Sequence, residues 1–220
     1  MDDATVYRTT AWSAGPGCHG GCGQKLYVKD GRLVRLEGDE DHPWNQGRSC
    51  PRVLALKRDR RLEVGPIATF HFENRDTMWL QIHEMLHIEK GGEAQIEDEL
   101  RAFNPLVPNG RELVATIMFE IDEPLRRKAF LDRLGGIENT IFLEFAGETV
   151  VGAPEQDVDR TTAEGKASSV QFVHFPFTAG QIAKFRDPGT RVVAGFKHNH
   201  YAHMAVMPEK VRAALAKDFD

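Results

Sequence analysis

Three cysteines near the start of the chain have the chemistry and the spacing to bind a metal centre. Three residues separate Cys18 from Cys22, and 27 residues separate Cys22 from Cys50. Deprotonated sulfur is the soft ligand that both iron–sulfur clusters and zinc prefer. The chain has only these 3 cysteines, and an odd number of thiols does not suit a small disulfide-bonded scaffold. We therefore expect reduced thiolates in a cytoplasmic protein.

The sequence around these cysteines resembles the N-terminal iron–sulfur segment of the molybdopterin oxidoreductase family. The resemblance covers residues 7–56 and rests on the runs GCHGGCG, YVKDGRLVRLEGD, HPWNQGR and SCPR. Four cysteines of that family hold a [4Fe–4S] cluster, and a basic residue just past the last cysteine lies on the electron path to the pterin. The resemblance implies that Cys18, Cys22 and Cys50 are cluster ligands and that Arg52 is this basic residue.

The segment departs from the family pattern at one ligand, because the first of the four cysteines would fall at Gly15. The implied cofactor is therefore a [4Fe–4S] cluster with another fourth ligand or a [3Fe–4S] cluster. The replacements that we consider are an external group or one of His19, Asp39, Asp41 and His42. The several hundred residues that enclose the pterin in those enzymes are absent from this sequence. Zinc and free thiols in a remnant segment are the alternatives.

The cysteine segment differs in composition from the rest of the chain. Residues 1–56 hold all the cysteines and two of the 3 tryptophans. Within them, KLYVKDGRLVRLEG predicts a β-hairpin with Asp30 and Gly31 in its turn. A module this small buries little apolar area. We therefore predict two domains, a small Cys-containing β-hairpin module over residues 1–56 and a larger domain over residues 57–220.

The larger part mixes predicted strands and helices without a regular βαβ order. Runs rich in β-branched and aromatic residues predict strands at 66–72, 113–121, 140–145, 148–153, 168–177 and 191–198. Capping residues and glycines predict helices from Asp76 to Gly91, over 93–103, from Asp122 to about Gly135, after Thr178 and after Pro208. This order predicts an α+β fold with a mixed or mostly antiparallel sheet and several short helices.

The larger part resembles the uncharacterised bacterial domain-of-unknown-function family 3501. The resemblance rests on the long run that begins RRLEVGPIATFHFENRDTMWLQIHEMLHIEK, on GKASSVQFVHFPFT and on HNHYAHMAVMPEKVRAAL. It implies redox or oxidative-stress work, because members are often encoded near rubrerythrin-like and cysteine-rich iron–sulfur proteins. It names no reaction and no catalytic residue.

A second chemical motif lies in the predicted helix that follows Asp76. His83, Glu84 and His87 satisfy the HExxH pattern, in which two histidines one turn apart bind a metal and the glutamate activates a water molecule. Both histidines fall outside the apolar arc of this helix, on its polar side. A zinc site and two solvated surface histidines are therefore both open.

Glu89 falls within the apolar arc of the same helix, an arc that also contains Met78, Trp79, Ile82, Met85 and Leu86. A carboxylate in such a position must be hydrogen-bonded, paired, metal-bound or protonated if it is buried, because a bare buried charge is too costly. The alternative is that Glu89 lies in the last turn of the helix near solvent. The first environment makes it a candidate catalytic or ligand residue.

A third group consists of His198, His200 and His203. Alternation in an extended segment places His198 and His200 on one side, and a turn at Asn199 would bring His203 to them. Three imidazoles within six residues suit zinc, iron, nickel or copper. The further ligands that we consider are His71 and His174. The alternative is a surface loop that is merely rich in histidine.

Composition and missing motifs exclude several functions. The 220 residues carry a net charge of −5, with basic residues scattered along the chain, so we expect no nucleic-acid partner. We expect no membrane span either, because no run approaches about 18 consecutive apolar residues, and the acidic, polar start does not match a secretory signal. The GxSxG elbow of hydrolases and the GxxxxGK[ST] phosphate loop are absent.

Three functions are compatible with these features. The leading hypothesis is a cytoplasmic redox accessory or electron-transfer protein, in which the cysteines bind an iron–sulfur cluster and the α+β domain docks a redox partner protein or a small substrate. The second is a metal-dependent hydrolase, in which His83 and His87 bind zinc or iron, Glu84 is the general base and Glu89 or a histidine of the third group completes the site. The third is a non-catalytic interaction or assembly domain. We also consider a homo-oligomer.

Overall fold

The structure, a computed structural model, describes residues 5–11, 22–29, 32–38, 41, 60–155, 161–162 and 165–220. The chain forms two compact units. One comprises Met1–Leu54 and Trp79–Phe103, and the other comprises Ala55–Met78 and Asn104–Asp220. All strand pairings among the described residues are antiparallel, and the helices between the strands are short. The predicted α+β class with mostly antiparallel sheets is therefore confirmed.

Three strands of the first unit form one sheet. β1 (Thr5–Ala11) pairs with β2 (Cys22–Lys29), and β2 pairs with β3 (Arg32–Gly38). The register shifts at Tyr27/Val28, where the pairing of β2 with β3 is irregular. Cys22 is the first residue of β2 and lies opposite Ala11, the last residue of β1. The backbone of this cysteine is therefore at the end of the sheet.

Two helices follow one another closely in the middle of the chain. α1 spans Arg75–Glu89 and is capped by Asn74 rather than by the predicted Asp76. Asn74 Oδ1 accepts a 2.9 Å hydrogen bond from the backbone N–H of Thr77, and Thr77 Oγ1 accepts one of 2.9 Å from the N–H of Asn74. This reciprocal pair is an N-terminal cap, and Asp76 lies in the first turn. α2 spans Glu93–Phe103, as predicted.

The second unit contains two antiparallel sheets around a common core. β4 (Arg61–Val64), β5 (Ala68–Phe72), β6 (Glu112–Phe119), β9 (Ala153–Pro154) and β10 (Val170–Pro176) form a five-stranded sheet in the order β4-β5-β6-β10-β9. β7 (Ile141–Phe145), β8 (Glu148–Val151), β11 (Val192–Phe196) and β12 (Met204–Val206) form a four-stranded sheet in the order β12-β11-β7-β8. Because β12 lies beside β4 and β8 lies beside β10, the two sheets enclose the space between them.

Aromatic rings fill this enclosed core. One group of rings in mutual contact consists of Phe70, Phe119, Phe130, Phe196 and Tyr201. A second group consists of Phe145, Phe177, Phe185 and Phe219. Ring centroids within each group are 4.8 to 5.9 Å apart, the range of favourable edge-to-face and offset contacts. Burial of these rings contributes favourably to the stability of the second unit.

Three short helices complete the second unit. α3 (Pro124–Leu131) is capped by Glu123, whose carboxylate accepts hydrogen bonds from the N–H groups of Leu125 and Arg126, so the predicted cap at Asp122 is wrong by one residue. α4 (Ala179–Arg186) has the predicted capping box of Thr178 and Gln181. α5 (Glu209–Leu215) follows Pro208, as predicted. No helix within the described ranges has both the length and the apolarity to cross a membrane.

The turn between β4 and β5 yields a test of the packing. Gly65 has a φ of +74°, and a Cβ atom on it would lie 2.6 Å from both Tyr201 Oη and His203 Cγ. Gly147 has a φ of +75° but open space around it, and Gly180 has open space without a positive φ. We expect Gly147→Ala to lower the free energy of unfolding by about 1–2 kcal/mol through backbone strain alone. Gly65→Ala should cost clearly more.

Gly180→Ala is the matched control, because alanine favours the helical conformation at an open site and should raise the free energy of unfolding by up to about 1 kcal/mol. Urea unfolding of the three variants measures the order. Equal losses for Gly65→Ala and Gly147→Ala would mean that Tyr201 and His203 do not pack on the turn.

Candidate functional site

The three cysteines are the first predicted site. The structure describes the backbone of Cys22, at the start of β2, whereas Cys18, Cys50 and Arg52 lie outside the described residues. Of the considered fourth ligands, Asp41 is described and exposed, and the others lie outside the described residues. The donor set can still be judged by its chemistry. Three thiolates suit an iron–sulfur centre in ligand type, and a non-cysteine group or a vacant iron position must account for the fourth.

The HExxH motif lies in α1, as predicted, because that helix spans the whole run from His83 to His87. The side chains of His83, Glu84 and His87 lie outside the part of the chain that is described, so their role as a metal site stays a prediction. Met78 and Ile82 of the apolar arc are buried, but Trp79 of the same arc is 62% exposed. The arc is therefore only partly covered.

Glu89 ends α1 in an exposed position. Its carboxylate accepts a 2.6 Å hydrogen bond from Gln95 Nε2, and the same amide nitrogen donates to Glu99 at 2.7 Å. Gln95 Oε1 accepts the backbone N–H of Gly91 at 2.9 Å. Of the two environments considered for Glu89, the structure shows the solvent-exposed last turn. A catalytic role for this residue stays a prediction.

The sequence analysis missed Gln95 and Glu99, which join the two helices through Glu89. Their signal was the spacing of four residues between an amide and a carboxylate on one helix face. Glu99 is 9% exposed, and its hydrogen bond to Gln95 supplies the partner that a buried carboxylate needs.

The loop after β11 carries the third group of residues. The N–H of Tyr201 donates to His198 O at 3.0 Å, which closes a turn around Asn199. His198 Nδ1 accepts a 3.2 Å hydrogen bond from the backbone N–H of His200, and His198 Nε2 lies 3.3 Å from Gly135 O. Because Nδ1 is an acceptor, the proton of the neutral ring is on Nε2, and both nitrogens have protein partners.

The other two histidines of the loop point to different neighbours. The ring of His200 lies 5.8 Å from the ring of His198, whereas the ring of His203 lies 4.5 Å from that of Tyr201. Throughout the described residues, no three side chains of His, Cys, Asp or Glu are grouped to hold a metal ion. Metal binding by His198, His200 and His203 stays a prediction.

Tyr201 anchors this loop in the core. Its hydroxyl donates a 2.7 Å hydrogen bond to Val64 O and accepts one of 3.2 Å from the N–H of Ala68. The side chain is 3% exposed, and burial raises the pKa of its phenol above the usual 10.0. The hydroxyl therefore holds the histidine loop against the β4–β5 turn.

The remaining histidines considered as ligands lie on the face of the five-stranded sheet that points away from the core. His174 Nδ1 lies 3.1 Å from Glu112 Oε2, and their side chains are 21% and 13% exposed. His71 lies opposite Thr116 in the neighbouring strand, and Thr116 Oγ1 donates to Glu73 at 2.6 Å. The sequence analysis missed Glu112 and Glu73. The signal for Glu112 was its alternation with the apolar residues of β6.

The other described groups with shifted pKa values belong to two ion pairs that involve α4 and α5. Hydrogen bonding and the charge of Lys184 lower the pKa of Glu148. The Arg212 guanidinium lowers the pKa of Glu209 through a hydrogen bond, and the same pairing raises the pKa of Arg212. Arg212 is buried and also donates to Phe185 O at 2.5 Å. Lys184 therefore links α4 to β8, and the hydrogen bond from Arg212 to Phe185 O links α5 to α4.

Comparisons with known proteins identify the same two segments. Residues 45–219 match the family described as Protein of unknown function (DUF3501), and residues 8–58 match the molybdopterin oxidoreductase Fe4S4 domain. Both resemblances of the sequence are therefore confirmed. A protein of unknown function from Burkholderia pseudomallei K96243, whose crystal structure is at 1.90 Å resolution, is 38% identical, with a TM-score of 0.70 over 77% of this chain and 89% of that chain. No curated protein matches.

The Tyr201 hydroxyl can be tested by Tyr201→Phe. We expect the free energy of unfolding at pH 7 to fall by about 1–3 kcal/mol, because Val64 O and Ala68 N lose a buried partner. Because the pKa of this phenol is raised on folding above the usual 10.0, its stabilising contribution is complete below that pH and is lost as the pH rises toward the folded-state value. Urea unfolding near pH 7 and near pH 11 measures both effects. A variant as stable as wild type, with the same loss at high pH, would contradict the anchor.

Proposed function

Because this chain belongs to the family described as Protein of unknown function (DUF3501), we propose its function from the segment at its N-terminus: a redox accessory protein that binds an iron–sulfur cluster and transfers electrons. The observation that carries the proposal is the match of residues 8–58 to the Fe4S4 domain of molybdopterin oxidoreductases. The three cysteines of the chain all fall within that match. Cysteine thiolates are the usual protein ligands of an iron–sulfur cluster.

In this proposal Cys18, Cys22 and Cys50 hold the cluster through their thiolates. When it is bound, an iron–sulfur cluster accepts and donates single electrons. Asp39, Asp41, His19 or His42 supplies the fourth ligand, or an external group does. Each of these side chains is a harder ligand than a thiolate, so the substituted iron should exchange more readily.

Arg52 has an electrostatic role in the proposal. It follows Cys50 by one intervening residue, and a guanidinium stays charged at every physiological pH. A fixed positive charge favours the reduced state of a cluster, which carries one more electron. Arg52 therefore raises the reduction potential of the cluster through its charge and is not a ligand.

The larger part of the chain docks a redox partner protein or a small substrate in this proposal. Reduced thiols and the absence of a disulfide framework favour a cytoplasmic location.

Metal and sulfide analysis of anaerobically purified protein tests the cluster. We expect about three or four iron atoms per chain with a similar amount of acid-labile sulfide, and broad absorption near about 400 nm. Cys50→Ser should remove the iron, because it removes a thiolate ligand, whereas His200→Gln should retain it and is the control. Colourless protein without iron, or zinc without sulfide, would refute the proposal, and so would unchanged iron in Cys50→Ser.

The role of Arg52 is tested by redox titration. We expect Arg52→Gln to keep the iron content and to lower the reduction potential by roughly tens of millivolts, because the reduced state loses a favourable charge. Arg48→Gln removes the same charge from the same segment, on the other side of Cys50, and should shift the potential less. Equal shifts in both variants would assign the effect to net charge and not to Arg52.

A further inference from the structure

The four-stranded sheet of the second unit carries apolar residues on both of its faces. β11 reads VVAGF and β12 reads MAV, without the alternation expected of a sheet that has one face in water. The inward residues belong to the common core. The outward residues are apolar as well, yet Val151, Met204 and Val206 are 59%, 62% and 51% exposed. A sheet with this pattern is typical of one that is covered on both sides.

Strand register makes these outward residues contiguous. One row across the four strands consists of Met204, Gly195, Phe142 and Val151. The next row consists of Val206, Val193, Glu144 and Thr149. Paired residues on neighbouring strands point to the same face, about 5 Å apart. The outward face is therefore a continuous apolar patch with one carboxylate on it.

Phe142 lies in the middle of this patch under two long, flexible side chains. It is 2% exposed, although it points away from the common core. Lys197 Nζ lies 4.3 Å from its ring centroid, and a Cβ atom on Gly195 would lie 2.8 Å from Met204 Cγ and 3.0 Å from Phe142 Cζ. Lysine and methionine side chains rearrange at small cost. The patch can therefore adapt to a second surface.

We propose that this outward face, formed by Phe142, Val151, Val193, Met204 and Val206, docks the same face of a second copy of the chain. The charges on the face select this occupant. Lys197 follows Gly195 by two residues on one side of the first row, and Glu144 follows Phe142 by two residues on the other side. The Cα atoms of Lys197 and Glu144 thus lie about 7 Å from the row, in opposite directions along the strands. In the single chain Lys197 Nζ reaches back over the ring of Phe142, and on docking this flexible side chain turns toward Glu144 of the second copy.

A two-fold axis along that row makes the face complementary to itself. Rotation about this axis reverses the strand direction of the second copy. Lys197 of one copy therefore lies at the same position along the strands as Glu144 of the other. β7 and β11 are neighbours, so the two side chains are separated sideways by about one strand spacing of 4.8 Å. Both ion pairs form at once, as an isologous interface requires. On the axis, the exposed side chains of Met204 and Val151 meet their own counterparts, and the two Phe142 rings approach each other once Lys197 of each copy has turned aside.

Sedimentation equilibrium tests the dimer. Because four short strands offer a small face, we expect a dimer of micromolar affinity in the full-length chain. Met204→Asp and Val151→Asp should each give monomers at about 100 μM, because the introduced carboxylate would be buried against its own counterpart on the axis. Leu125→Asp is the control, since Leu125 is 77% exposed on α3 and outside the face; it should stay dimeric. A monomeric wild-type chain at that concentration, or a dimer that persists in both face variants, would overturn the proposal.

Charge reversal gives a second test that does not disturb the apolar patch. Glu144→Lys alone and Lys197→Glu alone place like charges opposite each other in the homodimer, so each should weaken association at least tenfold. A mixture of the two variants should form a heterodimer of wild-type affinity, because Lys197 of the first variant faces Glu144 of the second and the two introduced side chains form the other pair in reverse. Circular dichroism confirms that both variants are folded. Failure of the folded variants to associate when mixed would refute the two-fold arrangement.

Discussion

The buried hydroxyl of Tyr201 is the contact on which the arrangement of the second unit depends. Tyr201 follows β11 of the four-stranded sheet. Its hydroxyl is hydrogen-bonded to backbone groups at the end of β4 and the start of β5 in the five-stranded sheet. The ring around that hydroxyl packs against Phe119, Phe130 and Phe196. One side chain therefore supplies both apolar contact and polar satisfaction in the core, which a phenylalanine would do only in part.

This contact also determines what the histidine loop does. Tyr201 is held in the core, so His198 and His200 form a closed turn on one side of it and His203 lies against the ring and the β4–β5 turn. The three imidazoles are thus divided between two places, because His198 and His200 lie beside each other and His203 lies against Tyr201. The residue types best suited to bind a metal centre are instead the three N-terminal cysteines. They are one fewer than the four ligands of a [4Fe–4S] cluster, which therefore needs a fourth ligand of another kind.

Side chains of the four-stranded sheet point alternately to its two faces, and apolar residues lie on both faces. Inward side chains of β7 and β11 enter the aromatic core, and outward side chains of the same strands make an apolar patch that is open in one chain. A side chain at Gly195 would crowd this face, because its Cβ atom would lie 2.8 Å from Met204 Cγ and 3.0 Å from Phe142 Cζ.

Short-range interactions made much of the fold predictable. The capping box of Thr178 and Gln181 and the bounds of α2 depend on residues within four positions of each other, and both are confirmed. The predicted N-terminal cap was wrong where two nearby residues could each cap the helix, as with Asn74 and Asp76 or with Glu123 and Asp122. β4 was missed because its four residues acquire their structure by pairing with β5.

By itself, the sequence determined the family, the fold class and the residue types that can carry chemistry, because these follow from local pattern and from the order of side chains. Only the tertiary structure decided which of those side chains meet. Tyr201 bonds to Val64, 137 residues away in the chain, and His174 meets Glu112, 62 residues away. Contacts of this kind depend on strand register and on the closure of two sheets around one core, and no window of neighbouring residues contains that information.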